Sequence, residues 1–399
     1  MDHKVARPDA SAALEPAGRE RLPGIDRLRG LVLILMALDH VRDFFDADSL
    51  RFSPTDLTHT YPALFLTRFV THFCAPTFVL LAGASAFLHG AKLGSRERLA
   101  GFLATRGLWL IALDAIVVSP VWTLQFGKVE LGTLWAIGCG LIALSGLVFL
   151  PPRAVLAIGA AITLAHNSLD PIHAADFGAW GPLWSLLHEQ GPLPFGLDGG
   201  VLYPALPWIG IMALGYGLGP LFVEPAPWRE RLLIRLGLAA TLLFLALRGV
   251  NLYGDPHPWV VQATPVMTLL SFLNVTKYPP SLLYALVTLG PALLVLVALE
   301  RREGRLYDML ATFGSVSFFF YVLHLYAALA AAGALAFARG FDPRRLGELV
   351  ARGAPPDDFG VGLAGAYVAW VALVAALYPL CRWFAGVKRR RRDWWLSYL

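Results

Sequence analysis

The sequence predicts an all-α, polytopic integral membrane protein with about ten transmembrane helices and both termini in the cytoplasm. Three observations lead to this prediction. The 399-residue chain is 57% hydrophobic and only 15% charged, and its mean hydropathy of +0.59 is far above that of a soluble domain. Apolar runs long enough to cross a ~30 Å hydrocarbon layer recur along the chain. The charge of the connecting loops alternates from one loop to the next.

The apolar runs define ten candidate spans. A helix needs about 20 residues to cross the hydrocarbon, and runs near this length, the fifth of them shorter, lie at Arg27–Asp46, Phe69–Gly90, Leu99–Ser119, Gly132–Leu150, Arg153–Ser168, Gly200–Phe222, Arg231–Leu252, Pro280–Glu300, Met309–Phe337 and Val361–Gly386. The run Met267–Asn274 is too short to span and is interpreted as an interfacial or re-entrant piece. We therefore divide the chain into a flexible cytoplasmic N-terminal segment (1–22), a transmembrane domain (23–387) and a basic cytoplasmic tail (388–399).

Lysine and arginine are concentrated in alternate loops, which predicts the orientation. The basic set comprises Lys4, Arg7, Arg19, Arg21, Lys92, Arg96, Arg98, Arg153, Arg229, Arg231, Arg301, Arg302, Arg305 and the KRRRR run from Lys388 to Arg392. These loops are predicted to be cytoplasmic, where anionic lipids attract them. The segment Leu169–Gly199 has no Lys or Arg and is predicted to be external; the Arg-containing loop after the ninth span is an exception to the rule. Because lipid accounts for the net charge of +5, we expect no nucleic-acid partner.

Ionisable residues occupy the first span, where most membrane helices are apolar. Arg29 and His40 are eleven residues apart, about three helical turns, so they share one face at a separation of ~16 Å along the axis. This predicts Arg29 at the cytoplasmic mouth and His40 in the outer half of the membrane. Asp39 and Asp43 flank His40, and either carboxylate is predicted to hold one imidazole nitrogen and leave the other for a proton. The alternative is a wetted helix end with Arg42 as the counter-ion.

Two further histidines fall at the same predicted depth. His72 lies near the outer start of the second span and His324 lies fifteen residues into the ninth. Three imidazoles at one level on different spans suggest a site, although a single such histidine is as often packed against a neighbouring backbone. The histidines of the outer loops, His59, His173, His188 and His257, are interpreted as solvated. We predict no metal site, since no two histidines of one span have i,i+3 or i,i+4 spacing.

Glycines recur in the sixth span, in YPALPWIGIMALGYGLG from Tyr203 to Gly219. Small residues let helices approach closely, so we favour a packing role over a ligand groove.

The chain resembles a known group of membrane enzymes in its first, second and ninth spans. The Arg29-x10-His40 pattern in a span opening with IDRLRG is similar to the Arg-x10-His signature of acyltransferase-3-type membrane acyltransferases. The closer resemblance is to bacterial proteins grouped with the catalytic domain of heparan-alpha-glucosaminide N-acetyltransferase. It rests on the first span, on PTFVLLAG from Pro76 to Gly83, on SFFFYVLHLY around His324 and on the terminal RRRDWWLSYL.

The resemblance implies a transmembrane acyltransferase that takes an acyl group, such as acetyl, from cytoplasmic acyl-CoA and delivers it to a sugar on the far side. Arg29, with Arg98, is then expected to bind the CoA phosphates. His40 is expected to act as general base, oriented by Asp39 or Asp43, while His72 or His324 stabilises the oxyanion. In the lysosomal member of the family the position of His40 is occupied by Asn and the essential His lies in the following loop. The base is therefore His40, His59 or His72.

A second class of function is compatible with the same residues. A proton-coupled small-molecule transporter also uses buried His and Asp groups, although we find no internal repeat of the kind common in transporters. For the acyltransferase, the expected partners are the lipid bilayer of a bacterial cytoplasmic (inner) membrane, acyl-CoA as co-substrate, and a carbohydrate acceptor whose hydroxyl or amine is acylated. A homodimer is compatible with the sequence.

Overall fold

A computed structural model describes residues 22–351, 356, 358–391, 393 and 396. The predicted N-terminal segment 1–22 lies outside the described residues except for Leu22, as does most of the tail predicted at 388–399. The fold is mostly helical, which confirms the predicted class. Its helices, α1 to α16 in chain order, are Pro23–Phe45, Pro62–Thr71, Cys74–Leu93, Arg96–Leu113, Ser119–Thr123, Thr133–Leu147, Pro152–Ala165, Gly181–Leu187, Ala205–Leu218, Ala226–Val250, Pro265–Leu273, Leu282–Glu300, Arg305–Ser315, Ser317–Ala338, Pro343–Ala351 and Leu363–Arg390.

Several helices of the described chain have the length and composition of membrane spans. Seven are long and apolar enough to cross a membrane, and the number is eight if the bent pair Pro152–Leu169 and Ala174–Leu187 is one span. Three of the seven are composite. Helices α2 and α3 together form one, α4 continues through a π-helical turn, Asp114–Val118, into α5, and α9 continues into the 3₁₀ turn Gly219–Val223. The number of these helices indicates an integral membrane protein.

The predicted ninth span, Met309–Phe337, is wrong as a single helix. The backbone breaks at Val316, and the region forms α13 followed by α14. Helix α13 is strongly amphipathic and packs along the first half of α1, where a Cβ on Gly30 would lie 1.8 Å from the carbonyl oxygen of Leu310. His324 is therefore seven residues into its helix, about 10 Å from its start, and not fifteen.

The α9 glycines have the packing role that the sequence favours. Helix α9 lies between α3 and α7, and a Cβ on Gly215 would lie 2.0 Å from the carbonyl oxygen of Leu80. Only a glycine permits this backbone approach.

A small three-stranded sheet, which the sequence does not predict, closes one end of the bundle. Its strands are β1 (Val129–Leu131), β2 (Gly191–Pro192) and β3 (Gly199–Val201), in the order β1-β3-β2. Strand β1 is parallel to β3, and β2 is antiparallel to it. The sheet joins the long loop before α9 to the loop before α6.

The two ends of the bundle differ in charge. We call the end where α1 begins and α16 finishes the basic end, since Arg29, Lys92, Lys388 and Arg389 meet there around one cavity. The end where α1 finishes is the far end. At the far end Arg248 is buried, and its guanidinium donates to the carbonyl oxygens of four residues, namely His257, Ser271, Phe272 and Asn274. These bonds hold the loop that contains α11, which matches the short non-spanning piece predicted there.

Candidate functional site

Two of the predicted histidines meet at the far end. His40, five residues before α1 ends at Phe45, is half-buried, and His324 on α14 is fully buried. The Nδ1 atom of His40 lies 2.8 Å from the Nε2 atom of His324, and the two rings are nearly parallel, at 6°. The pair forms because α14 packs directly against α1.

The hydrogen-bond chain through this pair determines where its protons lie. The Nδ1 atom of His324 is 2.8 Å from the carbonyl oxygen of Phe320, and a carbonyl only accepts, so this nitrogen carries the hydrogen. In neutral His324 the Nε2 atom is then an acceptor, and the Nδ1–H of His40 donates to it. The Nε2 atom of His40 is left with a lone pair, which is the state a general base requires.

Aromatic side chains restrict the His40 ring. Trp122 packs edge-on against it at 5.0 Å between ring centroids, and Tyr321 does so at 6.4 Å. Tyr321 also contacts His324, at 5.8 Å. Sequence reasoning missed both aromatic residues; the available signal was the i,i+3 spacing of Tyr321 and His324, which places them on one face of a helix.

The carboxylates beside His40 have other partners. Asp39 is buried; its Oδ1 atom forms an ion pair with Arg42 at 2.8 Å and accepts from Thr71 at 2.6 Å, and its Oδ2 atom accepts from Arg68 at 2.5 Å. Asp43 pairs with Arg42 at 2.6 Å. Among the described residues, the hydrogen bond that orients His40 is the one between its Nδ1 atom and His324. The prediction that Asp39 or Asp43 orients His40 is therefore wrong. The reason is geometric: both carboxylates face buried guanidinium groups.

A large cavity enters the bundle from the basic end. Its volume is about 1130 Å³. Along α1 it is lined by Leu22, Ile25, Asp26, Arg29, Leu33 and Met36, a set with the i,i+3/i+4 spacing of one helical face. From the first to the last of these residues the cavity follows α1 for about 21 Å.

Several basic residues line the cavity. The lining includes Arg29, Lys92, Arg106, Arg229, Lys388 and Arg389, against the carboxylates of Asp26 and Glu224. Arg29 reaches across to α3, where its guanidinium donates to the carbonyl oxygen of Leu81 at 3.2 Å and to the hydroxyl of Ser85, and it pairs with Asp26 at 3.4 Å. These hydrogen bonds offset the cost of partly burying the Arg29 guanidinium, and they hold it in the cavity wall. Arg98, in contrast, is exposed at the start of α4 and is not among the lining residues.

The cavity also reaches Tyr321, whose ring contacts both histidines. Thr133, Leu110 and Met36 line the same cavity. One aromatic ring therefore separates the cavity from the histidine pair.

The third predicted histidine is elsewhere. His72 lies at the break between α2 and α3, where it is buried and packs against Tyr284 at 5.4 Å. In the part of the chain that the structure describes, no hydrogen bond or ring contact joins it to His40 or His324. The three imidazoles share an end of the bundle but not a site, because α2 and α12 hold His72 on another side of α1.

His59 is solvated, as the sequence predicts. Its side chain is 64% exposed and its Nδ1 atom lies 2.8 Å from Asp56. Hydrogen bonds from Thr58 and His59 lower the pKa of the Asp56 carboxyl to about 2. His59 and Asp56 thus form a loop His-carboxylate pair that is separate from the His40 pair.

His188, also predicted to be solvated, is only 3% exposed. The loop after α8 folds it back against His166, a residue that the sequence analysis did not select.

The family of the chain follows from a comparison with known protein families. The family model described as heparan-alpha-glucosaminide N-acetyltransferase, catalytic, matches residues 21–253, which is more than half of the chain. The chain belongs to this family. The matched region of the heparan-alpha-glucosaminide N-acetyltransferase catalytic family includes Arg29, His40 and most of the cavity wall, whereas His324 lies beyond it. No curated protein matches the chain. Family membership indicates a membrane enzyme of the acetyltransferase type.

Proposed function

We propose that this protein transfers an acyl group, such as acetyl, from acyl-CoA at the basic end to a hydroxyl or amine of a carbohydrate at the far end. The observation that carries the proposal is the cavity that follows α1 for ~21 Å from Leu22 to Met36. It is lined by basic residues that include Arg29, and it reaches Tyr321, against a histidine whose Nε2 atom has a free lone pair. In this proposal the basic end faces the cytoplasm of a bacterium and the protein lies in its inner membrane.

The proposed topology has ten crossings. The seven long apolar helices are supplemented by α1, whose charges belong to the site, by the shorter α6, and by α7. Lys and Arg concentrate in the loops at the basic end, and the positive-inside rule assigns that end to the cytoplasm. Both termini are then cytoplasmic.

The donor would enter from the basic end. A guanidinium offers phosphate a fork of hydrogen-bond donors, and Arg29 is held in the cavity wall with Lys92 and Arg389 on the same lining. Arg98 stands outside this wall, so Arg29 carries the proposed phosphate contact. The cavity then accommodates the extended pantetheine arm, with the thioester directed towards Tyr321.

The proposed chemistry uses one proton relay. The Nε2 atom of His40 takes the proton of the acceptor O–H or N–H as that atom attacks the thioester carbonyl carbon. The tetrahedral intermediate collapses with cleavage of the C–S bond, and the proton returns to the leaving thiolate, giving free CoA and the acylated sugar. His324 stabilises the imidazolium through the hydrogen bond to Nδ1 and fixes the tautomer.

Acceptor-dependent release of CoA is the direct test. Purified protein in detergent, supplied with radiolabelled acetyl-CoA and a panel of amino sugars and envelope glycans, should release CoA thiol and incorporate label only when an acceptor is present. A transporter would instead leave acetyl-CoA intact under every acceptor condition.

Replacing Arg29 by Ala should weaken acetyl-CoA binding about ten- to a hundredfold, because a charge-assisted phosphate contact is typically worth ~1.5–3 kcal/mol. Calorimetry on the purified protein measures it, and Lys at this position should recover part of the affinity. Arg98→Ala is the matched control and should bind as the wild type does. Unchanged affinity in folded Arg29→Ala would make Arg29 a structural residue that only links α1 to α3.

The orientation can be tested with single cysteines and an impermeant thiol reagent. Ala175→Cys, on the exposed segment before α8, should be labelled in intact cells, whereas Glu97→Cys, exposed at the start of α4, should be labelled only after lysis. Ser185, although in the same external segment, is fully buried and is unsuitable. Of the native cysteines, Cys74 and Cys381 are buried; the unmodified protein serves as the background. The reverse labelling pattern would contradict the orientation and the donor side together.

A further inference from the structure

A cluster of potential metal ligands lies at the far end, away from the histidine pair. It consists of His166, Asp170 and His188, each of which offers one ligand atom within 4.8 Å of the others. His166 and Asp170 lie on the 3₁₀ turn that ends α7 and just after it, and His188 follows α8. The cluster is at the far end because Asn167, between the first two, accepts a hydrogen bond from the backbone N–H of Leu282 at the start of α12.

We propose that His166, Asp170 and His188 bind one divalent transition-metal ion, with Zn²⁺ the best fit. Two imidazole nitrogens and one carboxylate oxygen are a common protein donor set for zinc, with the fourth tetrahedral position left to water.

The geometry is close to that of a metal site. The Nε2 atom of His188 lies 3.1 Å from the Oδ1 atom of Asp170, and the rings of the two histidines are 5.7 Å apart. With metal–ligand bonds of ~2.0–2.1 Å, the ligand atoms of a tetrahedral site are about 3.3 Å apart. To bind the ion, the cluster therefore needs to contract by about 1.5 Å at its widest.

Unpartnered nitrogens are a second, independent observation. Both histidines are 3% exposed, and in the described chain the Nδ1 atoms of both have no hydrogen-bond partner. A buried polar atom without a partner is destabilising, and such atoms are rare in folded proteins. Coordination through the Nδ1 atom of His166 would give that nitrogen the partner it lacks, whereas His188 approaches Asp170 through its other nitrogen, Nε2.

The surroundings also favour a cation. The Nδ2 atom of Asn167 donates to the Oδ2 atom of Asp170 at 2.9 Å, which orients the carboxylate in the way that outer partners orient metal ligands. The segment 169–199 contains four acidic residues and no Lys or Arg, so no basic side chain of this segment opposes a cation.

The position of the cluster suggests what the ion would do. It would join the end of α7 to the segment after α8, and Asn167 would connect the same point to the start of α12. We therefore assign it a structural role, fixing the far-end loop over the bundle, and no part in the proton relay of His40.

Metal content of the protein tests the proposal directly. Full-length protein purified without a polyhistidine tag, stripped with a chelator and then dialysed against Zn²⁺, should retain one zinc per chain by mass spectrometry. Its melting temperature should rise on zinc addition and fall with chelator. Co²⁺ in place of zinc should give the visible absorption bands of a four-coordinate site. Zinc retention by the wild type no higher than that of a folded His188→Gln variant would overturn the proposal.

Substitutions locate the ion. His188→Gln and Asp170→Asn should each lower zinc affinity by more than the ~10–100-fold that loss of an outer partner typically causes, and Asn167→Ala should fall within that range. His173→Ala is the control: it removes an exposed histidine of the same segment and should retain one zinc. If a variant does not fold, the zinc-dependent melting shift of the wild type still decides the question. Equal zinc retention by His173→Ala and a folded His188→Gln would place the ion elsewhere.

Acetyl transfer by a zinc-free, folded protein would leave the proposed function standing, so the two proposals fail separately.

Discussion

Replacing His40 by Ala is expected to lower acetyl transfer by ~10²–10⁴ in turnover, the usual contribution of a positioned proton acceptor. Acetyl-CoA affinity should change little, since His40 lies beyond Tyr321 at the acyl end and the cationic lining is at the other. Single-turnover acetyl transfer and calorimetry on the same preparation separate the two effects. The wild-type rate should also fall in acid, because an imidazolium has no lone pair to accept the proton.

The Asn variant distinguishes a base from a positioning residue. If His40 only orients the acceptor, Asn should keep most of the activity, and the base is then His59, with its Asp56 partner, or His72. If His40 takes the proton, Asn should be nearly as inactive as Ala. Full activity of folded His40→Ala would refute the assignment.

His324 supplies a matched test of the relay. His324→Ala removes the acceptor for the Nδ1–H of His40, so turnover should fall and its pH dependence should shift. His324→Gln offers an amide oxygen in place of the ring nitrogen and should restore part of the rate. A purely packing role for His324 would predict no such rescue and no change in the pH profile.

Replacing Asp39 by Ala is expected to destabilise the protein by about 3–5 kcal/mol, the usual cost of removing one partner from a buried ion pair. Arg42 is 1% exposed, and Arg68 is also largely buried. Without Asp39, Arg68 loses its ion pair, Arg42 keeps only its pair with Asp43, and Thr71 loses an acceptor. Unfolding in mixed micelles with increasing denaturing detergent measures the loss. The stability of the variant should fall, whereas the activity of the protein that remains folded should change less.

Asp43→Ala is the control for this prediction. The Asp43 side chain is 34% exposed and pairs with one guanidinium, so its loss should cost ~1 kcal/mol or less. An Asp39→Ala protein as stable as the wild type but inactive would instead make Asp39 part of the catalytic machinery.

The sequence by itself determined the class of the protein and the residues of its first span. Composition and apolar runs of membrane-crossing length indicate a helical membrane protein because hydrocarbon leaves the backbone few other ways to satisfy its hydrogen bonds. The 11-residue spacing of Arg29 and His40 places both on one face of α1, since helical periodicity is a local property. The structure keeps this relation: Arg29 lines the cavity, and His40 packs against Tyr321, which lines it as well.

Only the tertiary structure decided which side chains meet. His40 and His324 are 284 positions apart, and their hydrogen bond depends on the contact of α1 with α14, as the burial of His188 depends on the fold of the loop after α8. The sequence predicts that Asp39 orients His40, because the two residues are neighbours in the chain. In the structure Asp39 instead binds Arg68 and Thr71 of α2, which local sequence cannot place beside it. Helix breaks have the same origin: the apolar composition is continuous through Val316, and the packing of α13 along Gly30 of α1 turns one predicted span into two helices.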